Sequence, residues 1–552
     1  MISNRRYWFL LVLILLVYVA GMFVTLMEND SAQFAVMAMR MYQENDFINL
    51  FKGPQEYLDK PHMHYWLAGL SYKLFGLHDW AYRIPGILVT LLGAYSCFGL
   101  ARLLYNVDTG RLAALVFMTA QTIMLSVIDV RTDAVLTGFT IFAIWQLATY
   151  IEQRTVVPII LGALGAGLAF STKGQIALLV IGIAILCHLA YTRKWSALFN
   201  WKVLIALLVF ALAIAPMLYA YYLQFDLHPE KIIRGRGERS GIFFIFWEQS
   251  FERLSGDGMG SNSSDYFFFF HTFLWIFIPW TVLGLVAFGT RIRTLFRIRF
   301  AYNPKFEFLT LGTISLFFLI ASFSQFKLPH YLNIIIPLFS VLTASYIYDL
   351  YRTKLVNTVK VLLAIQYFIL SIVFVATLFI CFYVFRFKEL YPSVLLIILL
   401  LIITYFCLKR EAYYLRMVTL SVYSSLLLNA VLNLHFYPNL LKYQAGSGMA
   451  EVVLEEQIPV DEIYKLGDFH TWSLDFYMKR PVAMLSMDEL KKKHNIWLYV
   501  DDTEMRQLQQ QGLDWDRQYS KPHFRITRLS KKFLDPSTRK RTLDKMHLIH
   551  IY

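Results

Sequence analysis

The chain has 552 residues, of which 57% are hydrophobic and only 16% are charged. Soluble proteins carry about a quarter charged residues, so this composition excludes a set of soluble domains, an intrinsically disordered chain and a collagen-like repeat. The 52 Lys and Arg residues outnumber the 38 Asp and Glu residues, an excess that in a membrane protein usually sets topology and does not indicate nucleic-acid binding.

Thirteen apolar segments are predicted to cross the membrane, whose hydrocarbon core is about 30 Å thick. The first follows Arg5 and Arg6 and lacks a small-residue cleavage site, so it is predicted as a retained helix and not as a signal peptide. The segments 156–171 and 307–323 are the shortest, so the predicted number of spanning helices is open by one or two. The predicted spans are 7–27, 82–104, 112–128, 134–152, 156–171, 175–192, 202–224, 266–289, 307–323, 331–350, 360–385, 391–408 and 414–435.

The distribution of Lys and Arg predicts the orientation of these spans. An odd number of spans places the two termini on opposite sides of the membrane. If the N-terminus is cytoplasmic, every cytoplasmic connection is short and carries Lys or Arg, from Arg102 and Arg111 to Lys409 and Arg410. Because the positive-inside rule is strongest in short loops, we predict a cytoplasmic N-terminus.

The long connections fall on the other side of the membrane. They are residues 28–81, residues 225–265 and the polar tail that follows the last span. Within the first, 32–44 and 62–75 are too short to cross and are predicted as interfacial helices. The tail alternates helix-like and strand-like stretches, so we predict a transmembrane domain over 1–440 and a small extracytoplasmic α/β domain over 441–552.

Charged and polar residues recur on this side at the ends of the apolar segments, where an apolar chain rarely keeps them without a cause. Taken singly, each has a structural explanation, such as a helix cap, an interfacial ion pair of Arg131 with Asp133, a lysine that reaches the lipid head groups or an aromatic belt. Together they predict a site where cations hold the phosphate of a lipid-borne substrate and a carboxylate accepts a proton from a hydroxyl. The residues are Asp30, Asp59, Lys60, Asp129, Arg131, Asp133, Lys173, Glu248, Glu252, Arg253, Lys327, His330 and Tyr331.

Several motifs resemble those of bacterial polyprenyl-phosphate-sugar glycosyltransferases, which include the lipid A aminoarabinose transferases and the protein O-mannosyltransferases. The segment that begins at Asp30 resembles their first extracytoplasmic loop. Arg131-Thr-Asp133 is similar to the segment with their second Asp. The remaining matches are Tyr57-Leu-Asp-Lys-Pro61, Tyr65-Trp66, Leu74-Phe75-Gly76, Thr172-Lys173-Gly174, Phe246-Trp-Glu248 through Arg253, and Lys327-Leu-Pro-His-Tyr331.

The resemblance implies the C-type membrane glycosyltransferase fold, a polytopic α-helical membrane protein with about thirteen transmembrane helices, extracytoplasmic interfacial helices and a small C-terminal α/β domain. It implies an inverting enzyme of the bacterial inner membrane. Such an enzyme moves a sugar from undecaprenyl phosphate to a lipid A-type or other glycolipid acceptor at the periplasmic face.

The resemblance also implies roles for individual residues. Asp30 is expected to be the general base or to orient the acceptor hydroxyl, and Asp133 to position the acceptor or a nearby cation. Donor-phosphate binding is expected of Lys60, Arg253 and Tyr331, with Lys327 and Lys173 as further donor contacts. Secondary candidates are Asp59, Arg131, Glu248 and His330.

The chain departs from the aminoarabinose transferases at two places. Asp30-Ser-Ala-Gln-Phe34 stands where D-E-x-R-Y is typical, and Gln249 stands where a His often follows the loop Glu. The sugar and the acceptor therefore stay open, with protein O-mannosylation as the alternative within the class.

Two alternatives lie outside the class. A transporter or flippase of lipid-linked sugars is disfavoured, because transporters usually hold their coupling charges near the membrane midplane. In this chain the candidate charged residues gather at one membrane surface. A binding protein whose tail carries the function does not explain the ordered motifs. Nothing in the sequence requires a cofactor. No pair or group of residues has the spacing of metal ligands, although a divalent metal stays open. The predicted partners are membrane lipids and not nucleic acid.

Overall fold

A computed structural model describes residues 2–255, 265–304, 306–387 and 411–552, with isolated positions between 393 and 405. Within these residues, nine helices are long and apolar enough to cross a membrane, which confirms a polytopic α-helical membrane protein. They are Asn4–Met22, Asp79–Leu104, Thr132–Gln153, Val156–Lys173, Gln175–Thr192, Lys202–Asp226, Pro329–Thr353, Val356–Val384 and Tyr413–Tyr443.

Four predicted spans are not seen as single long helices, so the count of thirteen stays a prediction. The predicted span 391–408 falls outside the described residues apart from isolated positions. Another, Leu309–Ser322, has only 14 residues. The other two are each divided, into Val107–Thr119 and Gln121–Ser126, and into Phe268–Ile276 and Thr281–Arg297.

The two divided spans lie against each other at their breaks. The amide of Gln121 donates to the carbonyl of Ile278 at 3.0 Å, and the indole of Trp280 donates to Thr119 Oγ1 at 2.9 Å. The carbonyl of Pro279 accepts a hydrogen bond from Gln366 at 2.7 Å. Backbone that is not helical is tolerated at membrane depth only where the protein satisfies its polar groups, and these contacts do so.

The first long connection contains the two short helices that the sequence predicts, Asp30–Gln43 and Met63–Phe75. A hairpin of Phe51–Lys52 and Gln55–Glu56 lies between them. The helices pack together through aromatic contacts, such as the edge-to-face pair of Phe34 with Tyr65. The pair therefore forms a rigid support next to the spanning helices.

The second long connection is described as far as Ser255. It contains Gly241–Phe243, the π-helical turn Phe244–Glu248 and the helix Gln249–Ser255. The side chains of Phe244 and Ile245 are buried with Phe170 and Tyr221 of the spanning helices. This packing holds the last helix of the connection close to the membrane-spanning core.

The C-terminal segment forms a five-stranded mixed sheet, which confirms the predicted α/β domain. The strand order is Ala483–Met484, Ile463–Lys465, Ile496–Asp501, Asp544–Ile551 and Arg517–His523. In the central strand, Trp497 and Tyr499 pack into one apolar cluster and Leu498 into another, because successive side chains of a strand point to opposite faces. Helices cover both faces, with Ala445–Glu455 and Trp472–Met478 on one and Met487–Leu490 and Asp502–Gln510 on the other. The short helix Lys531–Leu534 packs through Phe533 into the main core cluster instead.

Candidate active site

A buried ion pair joins two spanning helices at the predicted site. Asp133 lies in the first turn of Thr132–Gln153, and Lys173 is the last residue of Val156–Lys173. The Asp133 Oδ1 to Lys173 Nζ distance is 2.6 Å, and the side chains are 5% and 4% exposed. A carboxylate at a helix N-terminus and an ammonium at a C-terminus are each favoured by the helix dipole, so both helices stabilise the pair.

The segment Pro329–Ile335 brings two more predicted residues to this pair. The Nε2 atom of His330 lies 3.8 Å from Asp133 Oδ2, and the ammonium of Lys173 lies 4.9 Å from the centre of the Tyr331 ring. The imidazole lies within electrostatic range of four charged residues: Asp133, Lys173, Arg131 and Lys60. His330 therefore lies at the centre of the charges that the sequence indicates.

An apolar cavity of about 660 Å³ opens on one side of the ion pair. Its polar lining includes Asp133, Lys173, Gln249 and Tyr331. Most of the remaining wall is apolar or aromatic, with Phe170, Leu179, Phe246, Trp247, Phe317 and Ile320 among its residues. Such a cavity fits a hydrocarbon chain whose polar end lies at Asp133 and Lys173.

A polar cavity of about 460 Å³ lies on the other side of Asp133. Arg131 bridges two carboxylates there, with Nη1 at 2.9 Å from Asp30 and Nη2 at 2.8 Å from Asp129. Burial disfavours the charge of Arg131, but the two carboxylates outweigh that effect and raise its pKa. Asp133 lines both cavities, so it lies where their contents would meet.

Arg131 and Asp133 do not form the interfacial ion pair with each other that their two-residue spacing in the sequence also allows. The ion pairs in the structure join Arg131 to Asp30 and Asp129, and Asp133 to Lys173. The two-residue spacing on the chain does not decide the pairing, because a helix begins between the two residues at Thr132 and turns their side chains apart.

Lys60 lies in the first long connection, beside the second. Its ammonium is 2.7 Å from Asp59 Oδ2, and the amide of Gln249 donates to the backbone carbonyl of Asp59 at 2.5 Å. Gln249 begins the helix Gln249–Ser255, which also contains Arg253. The side chain of Arg253 lies outside the part of the chain that the structure describes.

Like Asp59 and Lys60, the predicted residues Glu248 and Lys327 line neither of these cavities. Glu248 accepts a hydrogen bond from Arg239 at 2.9 Å, and Arg239 also contacts Glu252 at 2.5 Å, so these residues brace the connection. The buried ammonium of Lys327 lies 5.5 Å from the centre of the Tyr266 ring. The roles predicted for Glu248 and Lys327 stay predictions.

Several lining residues of the polar cavity are absent from the predicted set. Arg525 and Thr527 line it from the C-terminal domain, directly after the edge strand Arg517–His523. No local signal in the polar tail separates Arg525 from the many other basic residues there. Asp129, which also lines this cavity, is not one of the absent residues, because the sequence groups it with Arg131 and Asp133, although the resemblance gives it no role. Among the residues that the structure covers, no group of three or more His, Cys, Asp and Glu side chains is placed to hold a metal ion.

The chain is similar in sequence to known proteins over part of its length. Residues 59–219 match the family described as dolichyl-phosphate-mannose-protein mannosyltransferase. Undecaprenyl phosphate-alpha-4-amino-4-deoxy-L-arabinose arabinosyl transferase 2 from Proteus mirabilis is 26% identical over 59% of this chain and 56% of its own length. The corresponding transferase from Edwardsiella ictaluri is 28% identical over 62% of this chain and 59% of its own length. The chain thus spans less than two thirds of the length of these relatives.

The likeness in structure covers nearly the whole chain. The crystal structure of ArnT from Cupriavidus metallidurans bound to undecaprenyl phosphate matches with a TM-score of 0.73, over 99% of this chain and 98% of that one. Its apo state matches with a TM-score of 0.74. The identity is 15% in both, so these matches concern the fold. The chain therefore has the C-type membrane glycosyltransferase fold that its motifs predict.

Proposed function

We propose that this chain is an inverting glycosyltransferase that moves a sugar from a polyprenyl phosphate to a glycolipid acceptor at the outer face of a bacterial inner membrane. The observation that carries the proposal is the position of Asp133 between an apolar cavity and a polar cavity. A lipid-linked donor and a polar acceptor need two such cavities that meet at one point. The named substrate of the arabinosyl transferase relatives supports an undecaprenyl carrier.

In this proposal the donor occupies the apolar cavity. The polyprenyl chain lies along the aromatic wall, and the phosphate binds near Tyr331, Lys60 and the helix of Arg253. When the bond from the sugar C1 atom to the phosphate oxygen breaks, the carrier leaves as a phosphate monoester with one more negative charge. Cations that are already in place stabilise that developing charge, because they need no reorganisation during the reaction.

The acceptor occupies the polar cavity in the same proposal. Asp30 accepts the proton of the acceptor hydroxyl while that oxygen attacks C1 from the face opposite the phosphate, which inverts the configuration. Arg131 holds the carboxylate of Asp30 in place at 2.9 Å. Asp133 is fixed by Lys173 and positions the acceptor or His330. A protein acceptor, as in the mannosyltransferases, is the alternative outcome of an acceptor assay.

The first test is transfer from a panel of undecaprenyl-phosphate sugars by the purified chain in lipid nanodiscs. We expect Lys60→Ala to lower kcat/KM by about 10² to 10³, since one preorganised contact to a developing charge contributes roughly that factor. Lys73→Ala is the control, because Lys73 is an exposed lysine of the same connection that contacts Asn45. Near-wild-type transfer by Lys60→Ala would contradict the donor site.

Arg525 is expected to act on the acceptor and not on the donor. It lines the polar cavity and is exposed, so its guanidinium can meet an anionic group of an acceptor head. Arg525→Ala should raise KM for the acceptor about tenfold or more, which is the value of one charge-assisted hydrogen bond. Hydrolysis of the donor in the absence of acceptor should not change. Arg528→Ala, an exposed arginine three residues further on, is the control.

We further propose that the N-terminus is cytoplasmic and that residues 441–552 form a periplasmic domain. In a cysteine-free background, Ser537→Cys should react with a membrane-impermeant maleimide in intact spheroplasts. Ser196→Cys, in a loop with the basic residues Arg193 and Lys194, should react only after permeabilisation. Both serines are exposed, so the two positions differ in their side of the membrane and not in their accessibility. The reverse pattern would contradict this topology.

A further inference from the structure

We propose that the C-terminal domain positions the base Asp30, by clamping the three residues that precede Asn29 and Asp30. This inference rests on the proposed function and assigns to the domain a part in the reaction. The clamp consists of the side chains of Gln444, Ser473 and Tyr477, which hold residues 26–28 between the first spanning helix and Asp30–Gln43.

Glu28 is the centre of the clamp. Its Oε1 atom accepts two hydrogen bonds from Ser473, one from the backbone amide at 3.0 Å and one from the hydroxyl at 2.5 Å. The backbone amide of Glu28 donates to Gln444 Oε1 at 2.9 Å. Glu28 is thus bound through its backbone and its side chain to two residues that lie more than 400 positions away in the sequence.

Leu26 is held at the other end of the same segment. Its carbonyl accepts a hydrogen bond from the amide of Gln444 at 2.9 Å, and its own amide donates to the hydroxyl of Tyr477 at 2.9 Å. The hydroxyl of Tyr477 in turn donates to Asp79 Oδ2 at 3.1 Å, at the start of the next spanning helix. The clamp therefore joins the segment to both the domain and the transmembrane helices.

Packing leaves little room for the clamp to shift. Gln444 and Ser473 are fully buried, at 1% and 0% exposure. A Cβ atom at Gly446 would collide with Ser473 Oγ and would lie 3.3 Å from Glu28 Oε1. Trp472 and Phe476, on the same helix as Ser473, are buried in one cluster with Phe34 of the helix that begins at Asp30.

The position of residues 26–28 determines the position of the base. Asn29 and Asp30 both line the polar cavity, and Asp30 follows Glu28 by only two residues. A movement of Glu28 would carry the Asp30 carboxylate away from Arg131 and from the acceptor. Because a misplacement of about 1 Å can cost about 10²-fold in rate, the clamp affects the chemical step and does not need to affect the binding of the donor.

The test compares three variants in the transfer assay and in thermal unfolding. Glu28→Ala removes the acceptor of both serine hydrogen bonds and should lower kcat at least about tenfold, with KM for the polyprenyl-phosphate donor unchanged. Glu28→Gln keeps a side-chain carbonyl oxygen and should restore most of kcat. Glu489→Ala is the matched control, because Glu489 also accepts from the amide and the hydroxyl of one serine, Ser486, in the same domain.

Hydrogen exchange gives a second readout that needs no activity. Amides of residues 27–36 should exchange faster in Glu28→Ala than in wild type, and at the wild-type rate in Glu489→Ala. If the wild-type chain transfers no sugar, the proposed function fails while the exchange rates still decide whether the clamp exists. Unchanged exchange in Glu28→Ala, or an equal loss of kcat in Glu28→Ala and Glu489→Ala, would overturn the clamp.

Discussion

Replacing Asp133 with Ala is expected to abolish detectable sugar transfer and to destabilise the protein by about 3–5 kcal/mol, the usual cost of removing one partner of a buried ion pair. The variant leaves the ammonium of Lys173 buried beside the apolar cavity without the carboxylate that lies 2.6 Å from it. Transfer from an undecaprenyl-phosphate sugar and thermal unfolding in detergent measure the two effects separately.

The double variant Asp133→Leu with Lys173→Met separates these effects further. It removes both charges, so it should regain most of the lost stability and still transfer no sugar. The pair Asp108–Arg111 is a control, because these side chains are partly exposed and 3.5 Å apart; Asp108→Ala should change stability by less than about 1 kcal/mol. Wild-type stability of Asp133→Ala would show that the ion pair is not the buried contact described above.

Replacing Asp30 with Asn is expected to lower kcat by about 10² to 10⁴, the range that a positioned general base contributes. Asn can still accept a hydrogen bond from Arg131, so the geometry of the polar cavity should be preserved. It cannot accept a proton from the acceptor hydroxyl. Because the donor is proposed to bind in the other cavity, KM for the polyprenyl-phosphate sugar should stay near its wild-type value.

Glu44→Gln provides the control for the change of a carboxylate to an amide. Glu44 follows the helix that Asp30 begins and forms an exposed ion pair with Arg40 at 2.9 Å. Its replacement should leave kcat within about twofold, since an exposed pair contributes less than about 1 kcal/mol. If Asp30→Asn turned over at the wild-type rate, Asp30 would not be the base, and His330 beside Asp133 would be the next residue to test.

The sequence by itself determined the class of the protein and most of its helices. Apolar length and the placement of Lys and Arg are local properties, and a chain in hydrocarbon must satisfy its backbone hydrogen bonds within each segment. Eight of the nine long helices therefore begin and end within about five residues of the predicted spans, and the last, Tyr413–Tyr443, continues eight residues beyond the predicted 414–435. The two short helices of the first long connection, predicted at 32–44 and 62–75, lie at Asp30–Gln43 and Met63–Phe75 for the same reason.

Tertiary structure decided where the predicted span 112–128 breaks, whereas the break in 266–289 also carries a local signal, because Pro279 lacks the backbone N–H that a continuing helix needs. The segments 112–128 and 266–289 are apolar enough to be read as single helices. Each is interrupted because the other satisfies its free backbone groups, as the hydrogen bond from Gln121 to Ile278 demonstrates. Such a contact joins residues more than 150 positions apart, so no local pattern in either segment indicates it.

Tertiary structure also decided which charges meet. The sequence placed Asp30, Asp133, Lys173 and Lys327 on one side of the membrane, since their position follows from the spans. It did not indicate that Lys173 pairs with Asp133 or that Lys327 lies against Tyr266. It gave no sign of Arg525 or of the contact between Glu28 and Ser473. These contacts depend on how the helix ends and the C-terminal domain pack together, because a charge in a low-dielectric site pairs with the partner that packing brings within reach.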